Sequence, residues 1–436
     1  MASDLESYIA QAKVIDTHEH MRFEDQWVDE GSPDVLADLF RNYVTADLVS
    51  AGASPEAVQR VVEPEGDDDV EGRWAGIEAA WRLIETTGYG RAVATMADKV
   101  YGIEEITVDA LRGAQAKLDV FRQPGGRLHL LRDLAGLDHI QTDNGMRTVR
   151  PDASGPGFFF YDISWLGFTY RGVDWELLER ETDVAVKDLA SLRRAFETVF
   201  ERHGPHAIAV KTQHAYLRTL KWEKRADADA ERALQAMLKS IDEPDVATRL
   251  CLGDWCLARG AELAAEYRLP LKIHTGTYAG NNTMFTDRIR AGHLCPLLQA
   301  CPDTRFVLMH IAYPYSEELV AMAKHFPNVW ADMCWAWAIN PRASEQFVRS
   351  FLHAAPANKL FAFGGDVGWP TSAYAYALQM RQSLTRTLER IVEEGDLTET
   401  QAIAFARRVL YDNQVKCFDL EKTRALNIAV AAESSP

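Results

Sequence analysis

The sequence predicts an α/β fold: a (β/α)8 TIM barrel with a large helical insertion after its first strand. Three observations carry this reading. Short apolar segments alternate with helical ones along most of the chain, these segments number eight, and several end in side chains able to bind a metal. Eight is the number of parallel strands that closes a barrel. The competing arrangement is an open doubly wound sheet. No glycine-rich dinucleotide fingerprint follows any strand, which removes the usual reason to prefer it.

In chain order, residues 4–12 can form a short amphipathic helix, and Val14–His18 is the first strand. A mostly helical stretch then runs from Pro33 to Leu118, interrupted by the acidic tract Glu63-Pro64-Glu65-Gly66-Asp67-Asp68-Asp69, a solvated loop. The insertion as a whole occupies 21–135 within a single barrel domain, 1–436. Further strands are expected at Leu137–Gln141, Gly157–Ile163, Ala207–Lys211, Leu269–His274, Arg305–His310, Asn328–Met333 and Lys359–Gly364. Helical patterns at 184–202, 227–241, 247–267 and 372–394 separate several of them. The last helix opens on a capping box, Thr398-Glu399-Thr400-Gln401, with Ile403, Ala406 and Leu410 on one face. The tail beyond Leu420 is expected to be ordered only in part.

Bulk properties limit the partners. With 47% hydrophobic and 25% charged residues, the 436-residue chain has material for a large core. Its net charge of −17 argues against binding nucleic acid or an anionic membrane. The six cysteines (251, 256, 295, 301, 334 and 417) form no Cys-x-x-Cys pair and read as reduced thiols. The start carries Asp4 and Glu6 with no apolar signal core, and no apolar run approaches the ~20 residues that span a bilayer. A soluble, cytoplasmic protein acting on a small molecule is the expectation. A homo-oligomer is compatible with such barrels, though the chain carries no interface signal.

The chemistry sits at strand ends. The first strand ends Asp16-Thr17-His18-Glu19-His20, and residues two apart on a strand share a side, so His18 and His20 can converge on one ion. Two later strands end in His274 and His310, and a third ends Gly364-Gly365-Asp366. Singly, each has a structural explanation: a core histidine bonded to a carbonyl, or an aspartate capping a helix. Together they lie where barrel enzymes place their catalytic groups. Three imidazoles and a carboxylate suit one divalent ion, Zn2+ first and Mn2+ also.

The order His-x-His on strand one, Lys211 on four, His274 on five, His310 on six and Asp366 on eight resembles the amidohydrolase superfamily of metal-dependent barrels. The likeness extends from Val14 to about Phe418. Val210-Lys211-Thr212-Gln213-His214-Ala215-Tyr216 looks like the strand-four segment of its amidohydrolase-2 branch, and Tyr411-Asp412-Asn413 like that branch's terminal helix. The Trp74–Ile106 region is similar to insertions in glutamine-synthetase-linked members and in uronate isomerases. The resemblance implies metal-activated water as nucleophile, with His18, His20, His274 and Asp366 as ligands and Asp366 also accepting the water's proton. His310 would polarise the substrate, ahead of serving as a permanent ligand. Lys211 would bind substrate beside one metal; were it carboxylated, it would bridge two. A lysine salt-bridged inside the barrel is the structural alternative. Arg22, His214, Tyr216, Arg218, Trp335 and Trp369 are the remaining candidates for substrate contact, and cations near the metal of so acidic a chain point to a carboxylated substrate. The expected reaction is hydrolysis of a C–N or C–O bond; decarboxylation and uronate isomerisation are the alternatives.

Overall fold

The structure, a computed structural model, describes residues 3–170, 173–239 and 244–433. Its strands are β1 (Val14–Glu19), β2 (Leu137–Thr142), β3 (Phe159–Tyr161, continued by Ile163–Ser164), β4 (Val210–Thr212), β5 (Leu271–Ile273), β6 (Phe306–Leu308), β7 (Val329–Asp332) and β8 (Leu360–Phe361). Every neighbouring pair is parallel and in sequence order, from Val14 opposite Leu137 round to Asp332 opposite Phe361. The chain just beyond β8 returns to β1: the Thr17 amide donates to the Phe363 carbonyl at 3.1 Å and the Asp366 amide to the His18 carbonyl at 2.9 Å. The barrel is closed, which leaves no sheet edge. These strands cover the eight expected segments.

The barrel is filled in layers. Ile15, Phe160, Val307 and Phe361 pack with Cys417, Phe418 and Leu420, so the C-terminal segment plugs the end opposite the ligands. Full burial of a phenylalanine such as Phe418 contributes about 1.5–3 kcal/mol. Above this apolar layer, Lys272 Nζ lies 3.0 Å from Asp162 and donates to the Thr17 carbonyl at 2.7 Å. The lysine salt-bridged inside the barrel is therefore Lys272, and Lys211 is free of that task.

Between β1 and β2 the chain is helical from Glu24–Glu30 onward, and these helices bury a core of their own around Trp27, Phe40, Trp74, Trp81 and Tyr101. Trp369, following β8, is part of that second core and ties it to the barrel. The acidic tract lies between helices Pro55–Val62 and Val70–Ala75, with Asp69 accepting from the Gly72 amide as N-cap. The expected helix 227–241 is seen as Asp227–Lys239, and residues 240 and 241 lie outside the described residues. The capping box at Thr398 and Gln401 starts helix Glu399–Arg407 as expected.

The C-terminal tail departs from expectation. Leu420–Glu433 is a helix, with residues 434–436 outside the described residues. Its weak amphipathic pattern gave little signal, but Arg424 pairs with Asp138 and Asn427 accepts from His206, docking it on the barrel. Among the described residues, no helix is long and apolar enough to cross a membrane. All six cysteines are free thiols.

Candidate metal centre

The strand ends bring His18, His20, His274, His310 and Asp366 together. Asp366 Oδ1 is 3.2 Å from both His18 Nε2 and His20 Nε2, and Oδ2 is 3.7 Å from His310 Nε2. His310 Nε2 and His274 Nδ1 are 2.9 Å apart. Three of these residues have one ring nitrogen fixed by a backbone carbonyl: His20 Nδ1 by Asp143 at 2.8 Å, His274 Nε2 by Thr277 at 3.0 Å and His310 Nδ1 by Cys334 at 2.9 Å. A carbonyl only accepts, so each of these nitrogens carries the proton, and the opposite nitrogen presents a lone pair. Three lone pairs then face one another and a carboxylate. Such an arrangement is repulsive unless a cation sits among the donors. His18 Nδ1, buried without a hydrogen-bond partner among the described residues, leaves the fourth imidazole equally available. The donor set fits a divalent ion.

Backbone conformation helps aim these groups. His310, Ile311 and Ala312 have φ of 63°, 47° and 48°, and Trp335 and Asp366 have φ of 62° and 61°. Left-handed conformations cost non-glycine residues about 1–3 kcal/mol each and persist where surrounding structure imposes them. Here they follow β6, β7 and β8 in turn. Gly364 and Gly365, before Asp366, have no room for a side chain: an added Cβ would lie 2.8 Å from Thr17 Oγ1 and 2.2 Å from Glu19 Oε1. Glu19 itself accepts from the Val367 amide at 2.6 Å, fixing the loop that carries Asp366.

Burial and charge set the protonation states. Burial pulls His18 and His274 well below the usual histidine range and His310 down to about 4, and the charge of Lys211 acts in the same direction. Burial alone would raise Asp366, but contacts with His18 and His20 outweigh it and hold the carboxyl well below its ordinary value. His20 is the exception: burial lowers it, but contact with Asp366 outweighs that and raises it. Neutral imidazoles around a carboxylate are the states that bind metal.

Lys211 is fully buried, donates to Gln213 Oε1 at 3.2 Å, and makes no ion pair with a carboxylate among the described residues. The aromatic rings of Tyr216 and Trp335 also reach the centre, at 4.9 Å from His274 and 5.6 Å from His310. His214 is buried, with Nδ1 3.1 Å from the Thr212 hydroxyl. Three expected substrate contacts are not brought to the centre. Arg218 is buried against Asp254 at 2.6 Å and donates to the carbonyls of Thr169, Thr219 and Lys221, so its guanidinium is consumed by the fold. Arg22 is half exposed and faces Glu30 at 3.7 Å. Trp369 packs on Trp27 with Arg41 over its face.

Sequence reasoning missed the roof. Tyr43 and Tyr89, both from the insertion, lie 4.3 and 6.1 Å from Trp335. The charge of Asp366 reaches the hydroxyls of Tyr43, Tyr89 and Tyr376, adding to the upward shift that burial imposes. No strand-end position or motif marks these tyrosines; only tertiary packing places them.

A closed parallel barrel with imidazoles and a carboxylate converging at its C-terminal end defines the metal-dependent barrel enzymes as the class. The family model described as amidohydrolase matches residues 209–413, from β4 to the terminal helices. Over that stretch, a little under half of the chain, the sequence is similar to the amidohydrolases. Among curated proteins, Protein fluG of Emericella nidulans is 25% identical over 258 residues, 57% of this chain; the match spans 28% of fluG's length. Among solved structures, glucuronate isomerase from Caulobacter crescentus superposes with a TM-score of 0.78 at 17% identity, covering 96% of this chain and 93% of that one. Uronate isomerase from Thermotoga maritima gives 0.73 at 13%, covering 95% and 96%. A Lactobacillus casei protein, provisionally assigned as a metal-dependent hydrolase, gives 0.66 at 15%, covering 97% and 99%. These structural likenesses speak for the fold, insertion included.

Proposed function

We propose that the protein is a metal-dependent hydrolase that cleaves a C–N or C–O bond (amide, lactam or lactone) in a small carboxylated substrate. One divalent ion, Zn2+ or Mn2+, would be held by His18, His20, His274 and Asp366. The supporting observation is the set of lone pairs directed at one carboxylate, with the cation of Lys211 buried beside them. Bound there, the ion supplies Lewis acidity and lowers the pKa of water toward neutrality.

The chain's own groups do the rest. Asp366, ionised and in contact with two imidazoles, accepts the proton of the attacking water. His310, with Nδ1 tied to the Cys334 carbonyl, presents a lone pair at Nε2; once Nε2 has taken up the water's proton from Asp366, 3.7 Å away, it can stabilise the developing oxyanion or pass that proton to the leaving atom. Lys211, bonded only to a neutral amide, pairs with the substrate carboxylate. Tyr43, Tyr89 and Trp335 form an aromatic wall that excludes bulk water and strengthens these charge interactions. A cytoplasmic setting accords with the six free thiols.

The test is a panel of N-acyl amino acids, sugar-acid lactones and aromatic acids offered to metal-loaded enzyme. Amine or acid release supports hydrolysis. Carbon dioxide release, or aldose–ketose interconversion of a uronic acid without bond cleavage, would replace it with one of the other chemistries this fold hosts.

A further inference from the structure

Away from the metal centre, a hollow of about 320 Å3 opens between the turn before helix Gly88–Met96, the start of helix Pro341–Ala354 and the flank of helix Pro370–Glu393. Its lining includes Thr87, Arg91, Asn340, Arg342, Glu345 and Arg386. A second hollow of about 320 Å3 shares Arg91, Pro341 and Arg386 and extends the first.

The charge balance is unusual for this protein. Glu345 is the sole carboxylate lining the first hollow, and three guanidiniums crowd it: Arg342 at 2.7 Å, Arg390 at 3.5 Å and Arg386 at 3.8 Å. Arg91 makes no ion pair among the described residues. Asp98, in the second hollow, is paired with Lys99 at 2.8 Å. Three lining guanidiniums, those of Arg91, Arg342 and Arg386, against one lining carboxylate leave a local surplus of two positive charges in a chain of net charge −17. Like charges gathered without counter-ions repel, and a multivalent anion relieves that repulsion through paired N–H donors. No aromatic ring lines either hollow, so nothing is offered for a nucleobase to stack on.

We infer that this hollow is a second binding site, separate from the metal centre, for a small multivalent oxyanion: a phosphorylated or polycarboxylic metabolite. It also has a direct structural route to the active site. An added Cβ at Gly88 would lie 2.0 Å from the carbonyl of Ala338 in the short helix Ala336–Ile339, so the two helices are in backbone contact there. Gln379 Nε2 donates to both the Gly88 and Trp337 carbonyls. The next residue, Tyr89, stacks on Trp335, which meets His310.

Calorimetric titration of the metal-loaded protein at low ionic strength tests this, with pyrophosphate in one arm and citrate in the other. Saturable binding of one anion per chain is expected, and the tighter arm identifies the ligand class. Arg91→Glu removes a side chain that has no partner to lose, so it leaves the fold intact; it should weaken binding at least about tenfold. Glu345→Gln removes the only lining carboxylate of the first hollow and should tighten binding several-fold. Absence of saturation below about 10 mM, a Kd beyond any metabolic use, overturns the inference. So does unchanged affinity in Arg91→Glu, which would place the anion elsewhere, or unchanged affinity in Glu345→Gln.

Discussion

His274 and His310 each donate one ring N–H to a backbone carbonyl, and the nitrogens left over stand 2.9 Å apart. His18→Ala should therefore keep the fold but lower bound metal from about one equivalent per chain toward none, as measured by elemental analysis. Lys211→Met should retain the metal and raise KM for a carboxylated substrate roughly 10- to 100-fold, the worth of one charged hydrogen bond. An unchanged KM would remove Lys211 from substrate binding. Arg218→Ala should leave KM alone and instead cost on the order of 2–3 kcal/mol of stability in denaturant titration. That loss is below that of a fully isolated pair, because Arg225 still holds Asp254 at 2.7 Å. The metal-competent residues were legible because each ends an apolar strand, a local pattern. The fate of Arg218 was not, since its partners Asp254 and Thr169 are 36 and 49 positions away.

Strand positions were readable because fully buried parallel strands appear as short apolar runs, and Leu271–Ile273 and Phe306–Leu308 fall inside theirs. The insertion was legible only as helical. Its breaks, such as the left-handed Gly102 that ends one turn at Tyr101, depend on local backbone geometry more than on periodicity. The helix Leu420–Glu433 was missed because it is held by scattered polar contacts and lacks a clean apolar face. At this scale the contact between helix Gly88–Met96 and the short helix Ala336–Ile339 is the sensitive joint. Gly88→Ala forces a methyl against a backbone oxygen and should destabilise by about 1–3 kcal/mol in thermal melts. It should also lower kcat, because Tyr89 moves with the helix.

The whole molecule should be acid-sensitive, and one part-buried contact sets a share of that window. His139 and Arg424 outweigh burial and hold Asp138 at about 2, against 3.8 for the free side chain. A depressed carboxylate contributes stability that is fully present above its unfolded value and is lost as pH falls through its folded one. Burial also lowers His139 to about 4 from 6.5, so the unfolded chain takes up that proton first and the stability due to His139 is lost between pH 6.5 and 4. Asp332, which burial raises to about 7, works the other way between pH 7 and 3.8; it is protonated in both states below that, which leaves the lowest window to Asp138 and to other carboxyls held low, such as Asp366 and Asp152. Melting temperature should thus drop between about pH 4 and 2, and Asp138→Asn should make that drop smaller. Barrel closure has a further consequence for how the chain is made. Glu19 and Val367, bonded across the seam, stand 348 positions apart. At ribosomal speed the first strand waits roughly 20–70 s for its partner to be synthesised. Throughout that interval its open edge is a template for mispairing, and the insertion, translated directly behind it and bearing its own hydrophobic core, is the first structure able to shield it.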